Sequence, residues 1–114
     1  MTGKPEEPMV RLGVDLGGTK IAGVALGPDG TVIAEHRIAA PQYDYSATLR
    51  AMGAMVTRLE QMAATRGTIG IGMPGSISPV SGRVQNANST WLNGQPFAHD
   101  VETQLGRPVR LALA

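Results

Sequence analysis

The sequence predicts an α/β fold: a mixed sheet with crossover helices. Three observations carry the prediction. Three short apolar runs with turn signals between them open the chain. Two later segments repeat their apolar residues at helical spacing, and each leads into another short apolar run. Glycines collect at 17/18, 27/30, 67/70/72/75 and 82, close to the ends of those runs. Glycine there permits tight turns and close backbone approach.

Met9 to Val14 reads as a strand that stops at Asp15, followed by strands at Ile21–Leu26 and Thr31–Ile38. Gly27-Pro28-Asp29-Gly30 is a turn signal, so the three strands run antiparallel in succession, and Asp29 reads as a turn residue. Leu49, Met52, Val56, Leu59 and Ala63 then recur three and four apart. That is the stripe of an amphipathic helix, with Asp44 or Ser46 as its cap and Gly67 after its end. Met52, Met55 and Met62 belong to it and read as core packing. Thr68–Met73 is a short strand running into Pro74-Gly75. Residues 76–95 are polar and turn-rich, with brief strand possibilities at Val80 and Val84. Phe97, Val101 and Leu105 fall four apart and define a helix over 96–105 closed by Gly106. Pro108–Leu113 is a last strand. Residues 1–8 read as a flexible tail and 9–114 as one domain.

Composition narrows the function classes. The 114 residues suffice for one domain with a real core. A net charge of +1 gives no reason to expect nucleic acid or membrane as partner. Cysteine is absent, which excludes disulfides, thiolate chemistry and cysteine-ligated metals. No apolar run reaches transmembrane length, and the start has no secretory segment, so a cytoplasmic location is expected. His36 and His99 lack neighbours at metal-ligand spacing, and Asp100 and Glu102 read as solvated helix residues.

The chemistry-bearing residues lie in two stretches. In VDLGGTK an acid, two glycines, a hydroxyl and an amine follow one another at a strand end. Asp15 there can hold Mg²⁺ directly or through water, because Mg²⁺ takes oxygen ligands and keeps much of its hydration shell. Gly17 and Gly18 let backbone N–H groups face a phosphate without an intervening Cβ. Thr19 adds a hydroxyl and Lys20 a charge. The spacing is neither that of a P-loop nor that of the dinucleotide-binding glycine fingerprint. A phosphate site and a plain hairpin both fit these residues alone. In the second stretch, GIGMPGS is followed by NANSTWLNG, dense in uncharged donors and acceptors beside an aromatic ring. Such groups suit a neutral polyol, whose hydroxyls both donate and accept. An Asx-rich surface turn with Trp91 as a core anchor fits equally well, and the anchor role is preferred for Trp91.

Together, DLGGTK at 15–20 and GIGMPGSISPVSGRVQNANSTWLNGQPF at 70–97 resemble the amino-terminal region of the ROK sugar kinases. Within that family they are similar to bacterial fructokinases of the mannokinase-like type and to N-acetylglucosamine kinases. The resemblance implies a ribonuclease H-like fold of the actin/hexokinase type, here its amino-terminal ATPase-like domain, with a second domain across a cleft. It implies ATP and Mg²⁺ as cofactors and a hexose, fructose first, as the acceptor of the γ-phosphoryl group. By the same resemblance Asp15, Gly17, Gly18, Thr19 and Lys20 approach the ATP phosphates, with Asp15 on Mg²⁺ through water. Gly75, Ser76, Asn88 and Ser89 approach the sugar. A homodimer is implied for the full-length form. The family's last strand here runs into Asn-Asp, whose aspartate is the general base, whereas this chain has Leu113-Ala114. With Ala114 at the base position no catalytic residue is assigned. The family's zinc-binding segment has no counterpart either. The expectation is an amino-terminal fragment, incomplete at its C-terminal end and inactive alone, with sheet surface left uncovered. Two other readings are a non-catalytic sugar-responsive module of the same family and a degenerate scaffold protein.

Overall fold

The computed structural model describes residues 10–73, 75–85, 87 and 89–113. The tail expected at 1–8 lies outside them. Among the described residues, seven strands and two α-helices follow in the order β1 (Val10–Leu16), β2 (Lys20–Leu26), β3 (Val32–Ala39), α1 (Tyr45–Ala63), β4 (Gly67–Met73), β5 (Ser76–Ile77), β6 (Val84–Gln85), α2 (Phe97–Leu105) and β7 (Arg110–Leu113). A 3-10 turn at Thr90–Leu92 precedes α2.

The main sheet has the strand order β3-β2-β1-β4-β7. Its first three strands are antiparallel neighbours, while β4 joins β1 in parallel and β7 joins β4 in parallel. Parallel neighbours require a crossover, and α1 and α2 supply the two. Burial alternates along β1, with Val10, Leu12, Val14 and Leu16 inside and Arg11 and Asp15 outside. The period of two therefore places one face of the sheet in the core. Against that face α1 lays Met52, Met55, Val56 and Leu59, and Phe97 and Val101 of α2 join the same cluster.

On the opposite face Gly13, Ala22, Val24, Gly70 and Gly72 line an open trough of 680 Å³. Gly13 pairs with Gly70, and Asp15 with Gly72, in the β1–β4 register.

The helix ends follow their side chains. Asp44 caps α1, its Oδ1 accepting the Ala47 N–H at 2.9 Å, so the cap is Asp44 and not Ser46. The C-terminal end of α1 turns at Ala64, which takes a left-handed φ of 60°. Gly67 instead opens β4. Met52 and Met55 are buried as expected, but Met62 is 39% exposed and leaves the core stripe. Val80 is 94% exposed at a turn and forms no strand, whereas Val84 does.

Asp100 and Glu102 are not simply solvated. The Tyr45 hydroxyl donates to Asp100 Oδ2 at 2.7 Å, joining α1 to α2, and Glu102 Oε2 accepts the Val109 N–H at 2.9 Å. Burial, then the hydrogen bond to Asp100 and its charge, push the Tyr45 phenol well above its ordinary range. A phenol whose pKa is raised on folding contributes stability fully below its unfolded value of about 10 and loses it as pH rises beyond that. Tyr45→Phe should therefore cost about 1 kcal/mol at pH 7. It should also flatten the loss of stability above about pH 10. Urea midpoints at pH 7 and pH 11 test this, and an alkaline slope equal to that of the wild type would refute it.

Candidate functional site

The carboxyl ends of the parallel strands β1, β4 and β7 lie at one end of the sheet. Ligands of open α/β sheets bind at such ends. Asp15 lies there, one residue inside β1 and not beyond it, with its side chain exposed.

The link from β1 to β2 is a tight hairpin. Leu16 pairs with Ile21, and the Gly17 N–H donates to the Lys20 carbonyl at 2.9 Å, leaving Gly18 and Thr19 at the tip. The two glycines have different reasons for being there. A Cβ on Gly17 would stand 2.9 Å from the Lys20 carbonyl oxygen, so the hairpin itself requires glycine at that place. A Cβ on Gly18 would meet nothing within 4 Å, and Gly18 is not among the glycines with positive φ. The favoured two-residue hairpin turns use glycine for a positive φ. Gly18 is glycine for neither reason, and the space beside its backbone is open.

Gly18, Thr19 and Lys20 are exposed, as is Asp15 three residues before Gly18. Among the described residues no group of three or more His, Cys, Asp or Glu could hold a metal. A cation here would have the Asp15 carboxylate and otherwise water or phosphate oxygens, a ligand set that suits Mg²⁺.

The hairpin tip is held from behind. The Ala40 N–H donates to the Thr19 carbonyl at 2.9 Å, and Gln42 Nε2 donates to the Gly18 carbonyl at 2.7 Å and to the Ala40 carbonyl at 3.1 Å. Gln42 belongs to neither motif stretch. Its contact spans 24 positions and leaves no local pattern.

The second stretch folds as a small unit. In β5 and β6, Ser76 pairs with Gln85 and Ile77 with Val84. Gly75 has a φ of 93°, and a Cβ there would come within 2.9 Å of the Gln85 carbonyl oxygen. Its glycine is thus required by the packing of this hairpin. Ser76 lies on β5, half-buried, with its hydroxyl 3.5 Å from the Gln85 carbonyl. Ser89 is only 3% exposed, and its carbonyl accepts the Leu92 N–H to start the 3-10 turn. Asn88 lies outside the described residues, as does Ala114. Asn93 closes the loop, its side chain accepting from the Ala87 N–H and donating to the Ala87 carbonyl. Trp91 is half-buried against the core and donates from Nε1 to Thr48 Oγ1 at 3.2 Å. That is the anchor its surroundings suggested. Its ring also meets Tyr43, with centroids 5.0 Å apart.

Among the described residues no helix is long and apolar enough to cross a membrane.

Comparison with known proteins agrees with this fold. Residues 11–113 match the model of the ROK family. An N-acetyl-D-glucosamine kinase of Pasteurella multocida is 32% identical over 101 residues, covering 89% of this chain and 33% of the relative. One from Salmonella paratyphi C is 36% identical over 99 residues, covering 87% and 33%. The chain thus spans about a third of the length of these relatives. Among solved structures, a ROK hexokinase from Thermus thermophilus superposes with a TM-score of 0.79 at 28% identity, covering 92% of this chain and 35% of that one. A ROK family glucokinase from Streptomyces griseus, in complex with glucose and AMPPNP, superposes with a TM-score of 0.78 at 26% identity, covering 91% and 33%. The fold is the ribonuclease H-like fold of the actin/hexokinase type, and it accounts for a part of those longer chains. On its sequence and its fold together, this chain belongs to the ROK family.

Proposed function

We propose that this chain is the phosphate-binding lobe of an ATP-dependent hexose kinase, residues 9–114 forming its amino-terminal ATPase-like domain. One observation carries the reading. Gly18 is bare at an exposed hairpin tip where neither its φ nor its neighbours call for glycine, three residues after the exposed Asp15. ATP and Mg²⁺ are the proposed cofactors, Mg²⁺ supplying charge neutralisation on the transferring phosphate oxygens. Asp15 would hold the ion through water. Thr19 and Lys20 would bind and orient the phosphates. Gly75, Ser76, Asn88 and Ser89 are the proposed sugar side.

Fructose is the first acceptor suggested by the motif resemblance. N-acetylglucosamine stands beside it, because the N-acetyl-D-glucosamine kinases above are 32% and 36% identical to this chain. By the motif resemblance, Leu113 and Ala114 stand where the family has Asn-Asp. Neither can take the proton that the sugar hydroxyl must lose. The 114 residues alone are therefore proposed to bind ligands without turnover.

Calorimetry of the chain with ATP, with and without Mg²⁺, tests the reading. Wild-type chain should bind Mg·ATP. Asp15→Asn should lose about tenfold or more of the affinity gained from Mg²⁺, equivalent to about 1.4 kcal/mol, while Mg²⁺-free ATP binds it at least as well as wild type. Equal Mg²⁺ dependence in both proteins would remove Asp15 from the site. No ATP binding by the wild type would overturn the phosphate reading.

A further inference from the structure

We infer that Gln42 is a positioning residue that sets the direction of the Thr19 N–H at the hairpin tip. The inference rests on the phosphate-loop reading above for its purpose, but on hydrogen-bond geometry for its substance. The Gly18 carbonyl and the Thr19 N–H belong to one peptide unit. No cis peptide bond is present among the described residues, so the two groups point in opposite directions. Gln42 Nε2 takes the Gly18 carbonyl at 2.7 Å, on the side of the strap at residues 40–44. The Thr19 N–H is thereby aimed away from the strap and off the exposed tip. A backbone N–H turned outward from a bare glycine is the donor that an anionic oxygen needs.

A second, independent observation concerns the strap. Tyr43, next to Gln42, has a φ of 57°. A bulky residue rarely adopts this conformation, and strained backbone of this kind costs about 1–3 kcal/mol. Tyr43 is also 81% exposed, so burial of its ring does not explain the strain. Three contacts lie along the strap that contains it. Ala40 holds the Thr19 carbonyl, Gln42 bridges the Gly18 and Ala40 carbonyls with one amide, and the Tyr43 ring meets Trp91. The strap therefore runs from the glycine tip to the polar stretch around Trp91. A side chain that only accepts hydrogen bonds at position 42 would leave the Gly18 carbonyl unheld, and the peptide could rotate.

The test uses the ¹⁵N-labelled 114-residue chain, in two measurements that fail separately. The first is made without ligand. Amide relaxation at Gly18 and Thr19 should report a rigid tip in the wild type, with order parameters near about 0.85. In Gln42→Ala these should fall towards about 0.6, while the urea midpoint is unchanged. In Gln42→Glu the tip should be loose at pH 7. It should tighten as the pH falls through about 4.3, where the carboxyl gains the proton it needs to donate. Unchanged order parameters in Gln42→Ala overturn the inference. The second measurement is a titration with inorganic tripolyphosphate and Mg²⁺, followed at the Thr19 amide. Wild type should shift and saturate, and Gln42→Ala should bind at least tenfold more weakly. Equal binding by both proteins overturns the positioning role. A wild type that does not respond overturns the phosphate reading, and the relaxation data still decide whether Gln42 orders the tip.

Discussion

Gly18→Ala should fold as well as the wild type and lose most of its affinity for Mg·ATP. The added methyl group meets no atom within 4 Å, and φ at this residue lies outside the left-handed region that alanine avoids. Alanine also narrows the unfolded ensemble, so stability should hold or rise by up to about 1 kcal/mol. Binding is different, because the methyl stands where the proposed phosphate approaches the backbone. Losing one hydrogen bond to a charged group costs about 1.5–3 kcal/mol, or roughly a 10- to 100-fold weaker complex. Gly17→Ala is the control. Its methyl lies 2.9 Å from the Lys20 carbonyl oxygen, so the hairpin must open, at a cost of about 1–3 kcal/mol. Calorimetry with Mg·ATP and urea unfolding on both variants separate the two roles. Gly18→Ala binding as tightly as the wild type would make the glycine pair a structural hairpin and nothing more.

What could be read from the sequence is what repeats along it. The periods of two and of three-to-four placed β1, β2, β3, α1, β4, α2 and β7 within a few residues, because burial of one face dictates those periods. Gly106 could be assigned as the end of α2 because a left-handed residue there favours glycine, and it has a φ of 73°. Of the β5–β6 pair only β6 was legible, as the brief strand possibility at Val84, while β5 escaped. The pair is two residues long on each side, too short for any period to appear. The left-handed Ala64 escaped for the opposite reason: nothing in alanine signals that conformation. At the site, the acid and the glycine pair were legible as residue types. Which glycine the hairpin needs depends on a carbonyl three residues away, and that distance exists only after folding. Gln42 was illegible for the same reason, since its partner lies 24 positions earlier.

Phe97→Ala should have the largest effect on stability of any single substitution considered. Phe97 is fully buried, and truncation of such a ring costs about 3–5 kcal/mol through lost burial and the cavity left behind. A small domain has roughly 5–15 kcal/mol in all. The loss is aggravated by where the ring sits. With nine residues, α2 is too short to persist alone, and its N-terminal end at Pro96 has no side-chain cap. It is held by Phe97 and Val101 in the core, by the Tyr45–Asp100 hydrogen bond, and beyond its end by Arg107, paired with Glu60 at 2.6 Å. Releasing α2 also releases β7, the edge strand it delivers to β4. Urea unfolding followed by circular dichroism should show a midpoint lowered in proportion to that loss, with m unchanged. Phe97→Leu, which keeps most of the volume, should cost about 1.5 kcal/mol or less. A Phe97→Ala midpoint close to that of the wild type would mean that α2 does not brace the sheet. The glycine tip, in contrast, is held by the strap at residues 40–44 and not by α2. Each Phe97→Ala molecule that remains folded should therefore bind Mg·ATP with wild-type affinity, the inverse of Gly18→Ala. A variant that lost both stability and affinity per folded molecule would place α2 within the binding machinery, contrary to the hydrogen bonds at the tip.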